Sequence, residues 1–366
     1  MYSYIHIPFC ESKCKYCRFA SIWWVNQKAV WIYVWHLLNE IKSFTKNTSK
    51  LESIYFGWWT PSILTEENLQ KIVYELENKF WFEKEIEITL ETTPQNVNLD
   101  NLKSWEKIWI NRLSVGIQSL NDKTLSEIWR TNKQNILNTL ELLKNTSIKN
   151  ISLDFIIWLP YVEVWELKND IEFILKNYDY VKHISVYMLE DYYDVEDEAK
   201  LYEKITYPTN WSKTWIDFDD YIKEYISILE LLKKYWINKY EISNFSKTWY
   251  ECKHNKSYWN HSENVWFWLW AHSFVSNIRY ANSDDFVWYY KQKKSYEDIL
   301  WENDLFLEKI MFWFRTSWIS IDLINKLNKN KIDELLKNWF LEINENKLQV
   351  PVKHTQILDY IINEII

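Results

Sequence analysis

An α/β fold with a parallel sheet is predicted by three features of the chain. Short β-rich runs alternate six times with amphipathic helical stretches over the first 190 residues. Most of those runs lack period-two polarity, as strands buried on both faces do. The 366 residues, 47% of them hydrophobic, can fill a large core and leave a smaller second unit. Residues 2–7, 53–57, 86–91, 112–118, 151–157 and 183–189 are the candidate strands, rich in Ile, Val, Leu and Tyr. Between them, residues 29–44, 65–80, 99–108, 121–130 followed by 135–144, and 164–177 carry a helical period. Glu66 and Glu67 open the second helix, where carboxylates suit the positive end of the helix dipole. Six such units with right-handed crossovers form an open doubly wound sheet or an incomplete barrel, and in either ligands collect at the C-terminal strand ends.

Residues 190–210 are acidic and irregular, the composition of a solvated connection. A helix is predicted over 219–235 and a strand over 239–242. Residues 244–272 are aromatic and polar with no clean period, and so long an irregular stretch is usually functional. From residue 286 the pattern turns helical at 308–315, 322–328 and 331–338. Strands at 340–343 and 348–350 flank the turn Asn344-Glu345-Asn346. Helix, helix and hairpin resemble a winged helix, but the mixed helix charges favour packing or partner docking over DNA reading. The expected domains are residues 1–240, a connecting segment 241–285, and a winged-helix-like unit 286–366.

A net charge of −8 argues against nucleic acid as a partner, because phosphate binding needs a basic face. No run of eighteen apolar residues occurs, so neither a membrane span nor a signal peptide is expected. Three of the four cysteines, Cys10, Cys14 and Cys17, stand in one Lys-rich loop directly after the first strand. Cysteines grouped as ligands rather than spread as pairs fit a reducing, cytoplasmic setting. The group is poorly placed for packing and reads as thiolate ligands of a soft metal centre. Three thiolates suit a 4Fe–4S cluster with one iron left open. The alternative is a structural metal knuckle completed by Cys252 or a histidine.

Two glycines against twenty-five tryptophans is an abnormal balance. Average usage would give roughly twenty-five glycines, and helix C-caps and positive-φ turns depend on them. The tryptophans stand where glycine belongs: Trp58 and Trp59 at a strand-to-helix turn, Trp236 and Trp339 at helix-to-strand junctions, and Trp266, Trp268 and Trp270 in alternation. We read most of them as glycine positions, through a UGA codon that the source reads as Gly. On the printed chain, crowding is expected around 57–60 and 265–271.

His6-Ile-Pro-Phe-Cys10-x3-Cys14-x-Tyr16-Cys17-x-Phe19 resembles the cysteine loop of radical S-adenosylmethionine (SAM) proteins. The more specific likeness is to the heme chaperone family HemW, relatives of oxygen-independent coproporphyrinogen III oxidase. Further matching motifs are Tyr55-Phe-Gly57-Trp58-Trp59-Thr60-Pro61, Arg112-Leu-Ser-Val-Gly116-Ile-Gln118-Ser119, Ile128-Trp129-Arg130, Asp154-Phe-Ile-Ile-Trp158-Leu-Pro160 and Tyr240-Glu-Ile-Ser-Asn244. His254-Asn255-x2-Tyr258-Trp259, Trp268-Leu-Trp270-Ala-His272-Ser273 and Met311-x3-Arg315 continue the series over nearly the whole chain.

The resemblance implies a partial (β/α)6 TIM-like barrel. It implies a 4Fe–4S cluster on Cys10, Cys14 and Cys17, with SAM on the open iron, cleaved by an electron from the cluster to a 5′-deoxyadenosyl radical. Tyr4, Tyr16, Gly57, Trp58, Trp59, Thr60, Glu91, Gln118, Arg130 and Asp154 would surround SAM. Taken singly, Glu91 could be an ordinary strand-end carboxylate, Arg130 a surface ion pair and Asp154 a cap. Imidazole is a common axial ligand of heme, which makes His254 the heme candidate, although a lone His in an aromatic loop is more often structural. His272 is expected to be structural or to line the active site.

The implied partners are respiratory proteins that accept heme, an electron donor for the cluster, a membrane surface met transiently, and a second copy in a homodimer. The alternative is the oxidase itself, which decarboxylates two propionates in porphyrin biosynthesis. The oxidases carry another Cys two residues after the third, where this chain has Phe19. They also have a longer segment before the loop than the nine residues here, and both differences favour the chaperone.

Overall fold

The computed structural model describes residues 1–17, 22–23, 26–45, 50–58, 60–189, 218–316 and 318–366. Phe19, Trp59 and the acidic stretch 190–210 lie outside them. The six expected strands are present as β1 (Tyr2–Ile7), β2 (Leu51–Trp58), β3 (Phe82–Thr92), β4 (Arg112–Gln118), β5 (Asn150–Ile157) and β6 (His183–Met188). They pair in parallel, strictly in chain order. A doubly wound sheet reverses its order at a switch point, and this one does not. Right-handed crossovers therefore place the connecting helices on one face and leave the other as a barrel interior. Those helices are α1 (Gln27–Ser43), α2 (Glu66–Phe80), α3 (Leu99–Lys107), α4 (Asp122–Glu127), α5 (Lys133–Leu143) and α6 (Glu166–Asn177). The first five begin at Asn26, Thr65, Asn98, Asn121 and Asn132, whose side chains accept an amide of the first turn.

The expectation that these strands lack alternation is corrected. Ile54, Phe56, Ile88, Leu90, Leu113, Val115, Ile151, Leu153, Ile184 and Val186 form the apolar layer beneath the helices. The residues between them are polar, and neighbouring strands align them in rows. One row joins Tyr4, Tyr55, Thr89, Arg112 and Asn150; another joins Glu91, Ser114, Ser152 and His183. The barrel interior is thus a polar chamber wall.

The segment expected as a separate piece, 241–285, belongs to the same sheet. Two short strands, β7 (Asn238–Lys239) and β8 (Asn244–Ser246), add antiparallel beside β6. At the opposite edge β9 (Asn264–Phe267) adds parallel to β1. Antiparallel β10 (His272–Val275), β11 (Ile278–Asn282) and β12 (Lys294–Ile299) then extend the sheet to twelve strands. After α7 (Phe218–Lys234), the chain between β8 and β9 must cross from one edge of the barrel to the other. Ser246 pairs with His183 and Asn264 with Tyr2, both N-terminal strand residues, so α8 (Lys253–Trp259) crosses at the barrel's N-terminal end and forms its floor.

Residues from Ile310 onward build a second apolar core that includes Phe314, Ile332, Leu335, Leu348 and Ile362. It contains α9 (Glu302–Thr316), α10 (Lys329–Lys337) and α11 (Leu358–Ile365), with a small antiparallel sheet of Ile319–Ser320, Glu342–Asn344 and Lys347–Gln349. The helix expected at 322–328 is a 3-10 turn, Ile321–Lys326, and α11 went unread in the sequence. Glu308 on α9 ties this unit to the sheet by accepting from Arg279 Nη2 at 2.8 Å and pairing with His261 Nε2 at 2.7 Å.

Eleven tryptophans among the described residues have positive φ: Trp58, Trp81, Trp109, Trp129, Trp158, Trp165, Trp236, Trp249, Trp268, Trp270 and Trp339. Four of these stand two residues past the last residue of a helix, in the position just beyond the C-cap. At Trp109, Trp129, Trp236 and Trp339 the paired backbone bonds of a Schellman motif close the helix, as in Ile110 N–H to Trp105 O and Trp109 N–H to Glu106 O. A left-handed L-residue costs about 1–2 kcal/mol. The four indoles are 57, 58, 80 and 74% exposed, so packing does not offset that cost.

Candidate cofactor site at the barrel mouth

The cysteine loop leaves the C-terminal end of β1 and is fastened to its neighbours by backbone bonds. Thr60 N–H donates to Phe9 O at 3.3 Å, and Lys15 N–H to Ile128 O at 3.3 Å. Cys17 N–H donates to Cys14 O at 3.0 Å, a tight turn that holds the last two cysteines close in the chain. Cys10 Sγ lies 2.9 Å from Thr60 Oγ1. The Arg130 guanidinium reaches Cys14 Sγ at 3.6 Å through Nη1 and donates to Gly116 O through Nη2. A Cβ on Gly116 would stand 3.0 Å from that Nη2, so glycine is what lets Arg130 reach in. Burial pushes the Tyr16 phenol well above its ordinary range, and its hydroxyl bonds Cys14. Among the described residues no three ligand-type side chains converge on one ion position. Three cysteines of one loop would hold a four-iron cluster with each thiolate on a different iron. Completion by Cys252 is excluded, because Cys252 lies at the floor.

Most of the expected SAM contacts come to this mouth. Glu91 accepts from Tyr55 Oη at 2.9 Å and from the Trp58 amide at 2.9 Å. Burial pushes its carboxyl up to about 7. Gly57 is needed for close approach: a Cβ there would meet Tyr4 Oη and Tyr55 Cε1, each at 2.7 Å. Gln118 takes a φ of 72°, a strained backbone at the strand end. Three indoles fill the remaining space. Trp268 stacks on His6 at 3.1 Å between ring centroids, Trp58 lies 4.3 Å from the same ring, and Trp266 lies 4.4 Å from Tyr4. The crowding expected from the printed chain is therefore present, beside Gly57 and Glu91.

Asp154 also faces this end. Its Oδ2 accepts from Ser114 Oγ at 2.7 Å and its Oδ1 from Ser152 Oγ at 3.0 Å. Ser114, Ser152 and His183 went unread in the sequence, although the polar alternation of β4, β5 and β6 carries them.

His254 approaches from below, its ring centroid 5.8 Å from that of Tyr4 and 5.1 Å from that of Tyr55. It sits on the floor helix α8, 1% exposed. Its Nδ1 is 2.7 Å from Ser53 Oγ and its Nε2 is 2.6 Å from Tyr258 Oη. Burial pushes its pKa down to about 3. Both ring nitrogens are engaged, so the ring offers no open axial position, and the structural reading of this histidine replaces the heme-ligand reading. Glu87 holds the same helix, accepting from the amides of Lys253 and His254 at 3.1 and 3.2 Å and from Cys252 Sγ at 3.4 Å. His272 is exposed on β10, with Nδ1 3.0 Å from Tyr296 Oη.

Comparison with known proteins agrees with this geometry. The profile of the Radical SAM superfamily matches residues 4–174. Heme chaperone HemW of Lactococcus lactis is 28% identical over 354 residues, covering 94% of this chain and 90% of that protein. Heme chaperone HemW of Buchnera aphidicola from Schizaphis graminum is 31% identical over 282 residues, 75% of this chain and 70% of that one. The same-named protein of Bacillus subtilis is 30% identical over 287 residues, 76% and 72%. The solved structure of coproporphyrinogen III oxidase (HemN) from Escherichia coli, a radical SAM enzyme, shares the fold with a TM-score of 0.79 at 16% identity, over 99% of this chain and 89% of that chain. Superfamily membership implies a 4Fe–4S cluster and SAM. From the cysteine loop to the second core, the chain belongs to the HemW family of radical SAM proteins.

Proposed function

We propose that this protein is a heme chaperone that carries a 4Fe–4S cluster and SAM at the barrel mouth and passes heme to respiratory proteins. The similarity to HemW proteins over 94% of the chain carries this reading. Cys10, Cys14 and Cys17 would hold the cluster. Tyr4, Tyr16, Gly57, Thr60, Glu91, Gln118, Arg130 and Asp154, with the turn at Trp58 and Trp59, would hold SAM. When bound, the cluster supplies one electron at a time to SAM. The residues present would orient the ligand: Arg130 donates to Cys14 Sγ, and Glu91 and Asp154 offer carboxyl groups to ammonium or hydroxyl groups. An electron donor for the cluster, a transient membrane-surface contact, a homodimer and a cytoplasmic setting belong to the same proposal. Among the described residues no helix is long and apolar enough to cross a membrane.

The native protein carries glycine at most of the tryptophan positions. Positive φ at exposed helix ends and the indoles packed on His6 and Tyr4 support this. Intact-mass measurement on protein from the source tests it: the mass falls by one indole-bearing side chain per position, and a mass equal to that of the printed chain contradicts it. For the chaperone reading, hemin-loaded protein is mixed with an apo respiratory heme protein. Transfer of heme to the acceptor is expected, whereas SAM-dependent decarboxylation of coproporphyrinogen III at turnover would establish the oxidase instead.

A further inference from the structure

One interior hydrogen-bond chain leads to Asp154. Tyr240 Oη is 2.8 Å from His183 Nε2, His183 Nδ1 is 2.8 Å from Ser152 Oγ, and Ser152 Oγ donates to Asp154 Oδ1 at 3.0 Å. His183 and Ser152 are both fully buried. The donors can be assigned from the acceptor end. A carboxylate only accepts, so Ser152 spends its single hydrogen on Asp154. Its oxygen then accepts from His183, which must carry its proton on Nδ1, and the bare Nε2 accepts from the Tyr240 hydroxyl. Burial and the nearby Arg112 cation hold the imidazole well below its ordinary pKa, so the ring stays neutral. Ser114 Oγ donates to the second carboxylate oxygen, Oδ2, at 2.7 Å, and these serine donors oppose the burial that pushes the Asp154 carboxyl above its ordinary range. Ser185 flanks the chain, 3.4 Å from Ser152 Oγ, and donates to Asn244 Oδ1 at 2.7 Å.

We propose that Tyr240, His183 and Ser152 form a positioning relay that fixes the Asp154 carboxyl group and aims it at the mouth, where it receives the ammonium or hydroxyl groups of the ligand. The three residues come from β5, from β6 and from the loop between β7 and β8, so the relay also couples the late segment of the chain to the site. His183 touches no ligand; it acts through Ser152 and Asp154. The inference rests on the SAM reading of the mouth, and its test separates the two.

The protein with its cluster in the oxidised, diamagnetic state is labelled with 15N-histidine, and His183 is assigned by the loss of its signal in His183→Asn. The expected signature is a neutral Nδ1–H tautomer at both about pH 6 and about pH 8, against the Nε2–H form usual in solution. An Nε2–H tautomer would overturn the proposal whatever SAM does. SAM affinity is then compared by calorimetry, with the form carrying Gly at 58, 59, 266, 268 and 270 as the wild type of the series. His183→Leu, which removes the donor, weakens binding about tenfold, the loss expected for one hydrogen bond to a charged group. His183→Asn, whose amide places a donor near the position of Nδ1, restores most of it. In the background Asp154→Asn, His183→Leu has no further effect. Equal binding by wild type and His183→Leu, or equal loss in the Leu and Asn variants, contradicts the relay. Absence of SAM binding by the wild-type protein instead sinks the reading of the mouth and leaves the tautomer result to decide the relay.

Discussion

The two ends of the barrel are built from the same six strands and from similar residue types, yet they are finished differently. At the floor, Glu87, Cys252, His254, Ser53 and Tyr258 bond one another, and α8 seals them from solvent. At the mouth, Glu91 is pushed up to about 7, Trp58 and Gln118 hold positive φ, and His6 Nε2 is buried with no partner. The floor bonds these groups to one another, although Arg112 Nε and Nη1 beside them have no hydrogen-bond partner among the described residues, whereas the mouth carries the raised carboxyl and the positive-φ backbone. A histidine motif and a carboxylate motif can therefore look equally functional in a sequence and differ only in which end of a strand they reach.

Changes at the cysteines give the largest contrast. Cys10→Ala, Cys14→Ala or Cys17→Ala should abolish cluster content, measured as iron and acid-labile sulfide, while the melting transition of the apo-protein moves little. Glu87→Ala at the floor should do the reverse. It strips two amides and a thiol of their acceptor and leaves the Arg112 charge beside them uncompensated, a loss of about 3–5 kcal/mol in denaturant unfolding. Glu91→Gln, by contrast, should change stability by under about 1 kcal/mol, because a carboxyl titrating near neutrality is already half protonated, and yet remove SAM binding.

Replacing Trp109, Trp129, Trp236 and Trp339 by Gly should each stabilise the printed chain by about 1 kcal/mol, read from denaturant midpoints. A pH series isolates His254. The folded protein keeps this ring neutral down to about 3, against 6.5 in the unfolded chain. Below 6.5 the unfolded state takes up the proton alone, so stability falls as pH falls, by about 1.4 kcal/mol per pH unit. His254→Gln should remove that increment relative to wild type. The smallest effect is on heme: His254→Gln should leave hemin affinity within about threefold of wild type. Loss of stoichiometric heme binding in a folded His254→Gln variant would show that the floor opens in solution and that the contrast between the two ends is wrong.

Much of the architecture was legible in the sequence. Apolar runs and helical periods located all six barrel strands, and the cysteine spacing located the mouth. The polarity of the interior was missed because Tyr, Thr, Ser and Gly blur an alternation that Glu87-Ile88-Thr89-Leu90-Glu91 shows plainly. The place of α8 was hidden for a different reason. That it lies on the floor follows from β8 and β9 joining opposite edges of the sheet, a long-range pairing with no local signature. The tryptophans were legible as a composition anomaly, and the backbone adds a cause for eleven of the described ones, which have φ above zero.

The central claim is that the mouth is the SAM site and that glycines open it. The most direct test is electron paramagnetic resonance of the reduced, reconstituted cluster, titrated with SAM, in the form carrying Gly at 58, 59, 266, 268 and 270. A change in the cluster signal saturating at one SAM per protein is predicted there, and none in the printed chain. An unchanged signal in the glycine form, with the cluster intact, would contradict the account.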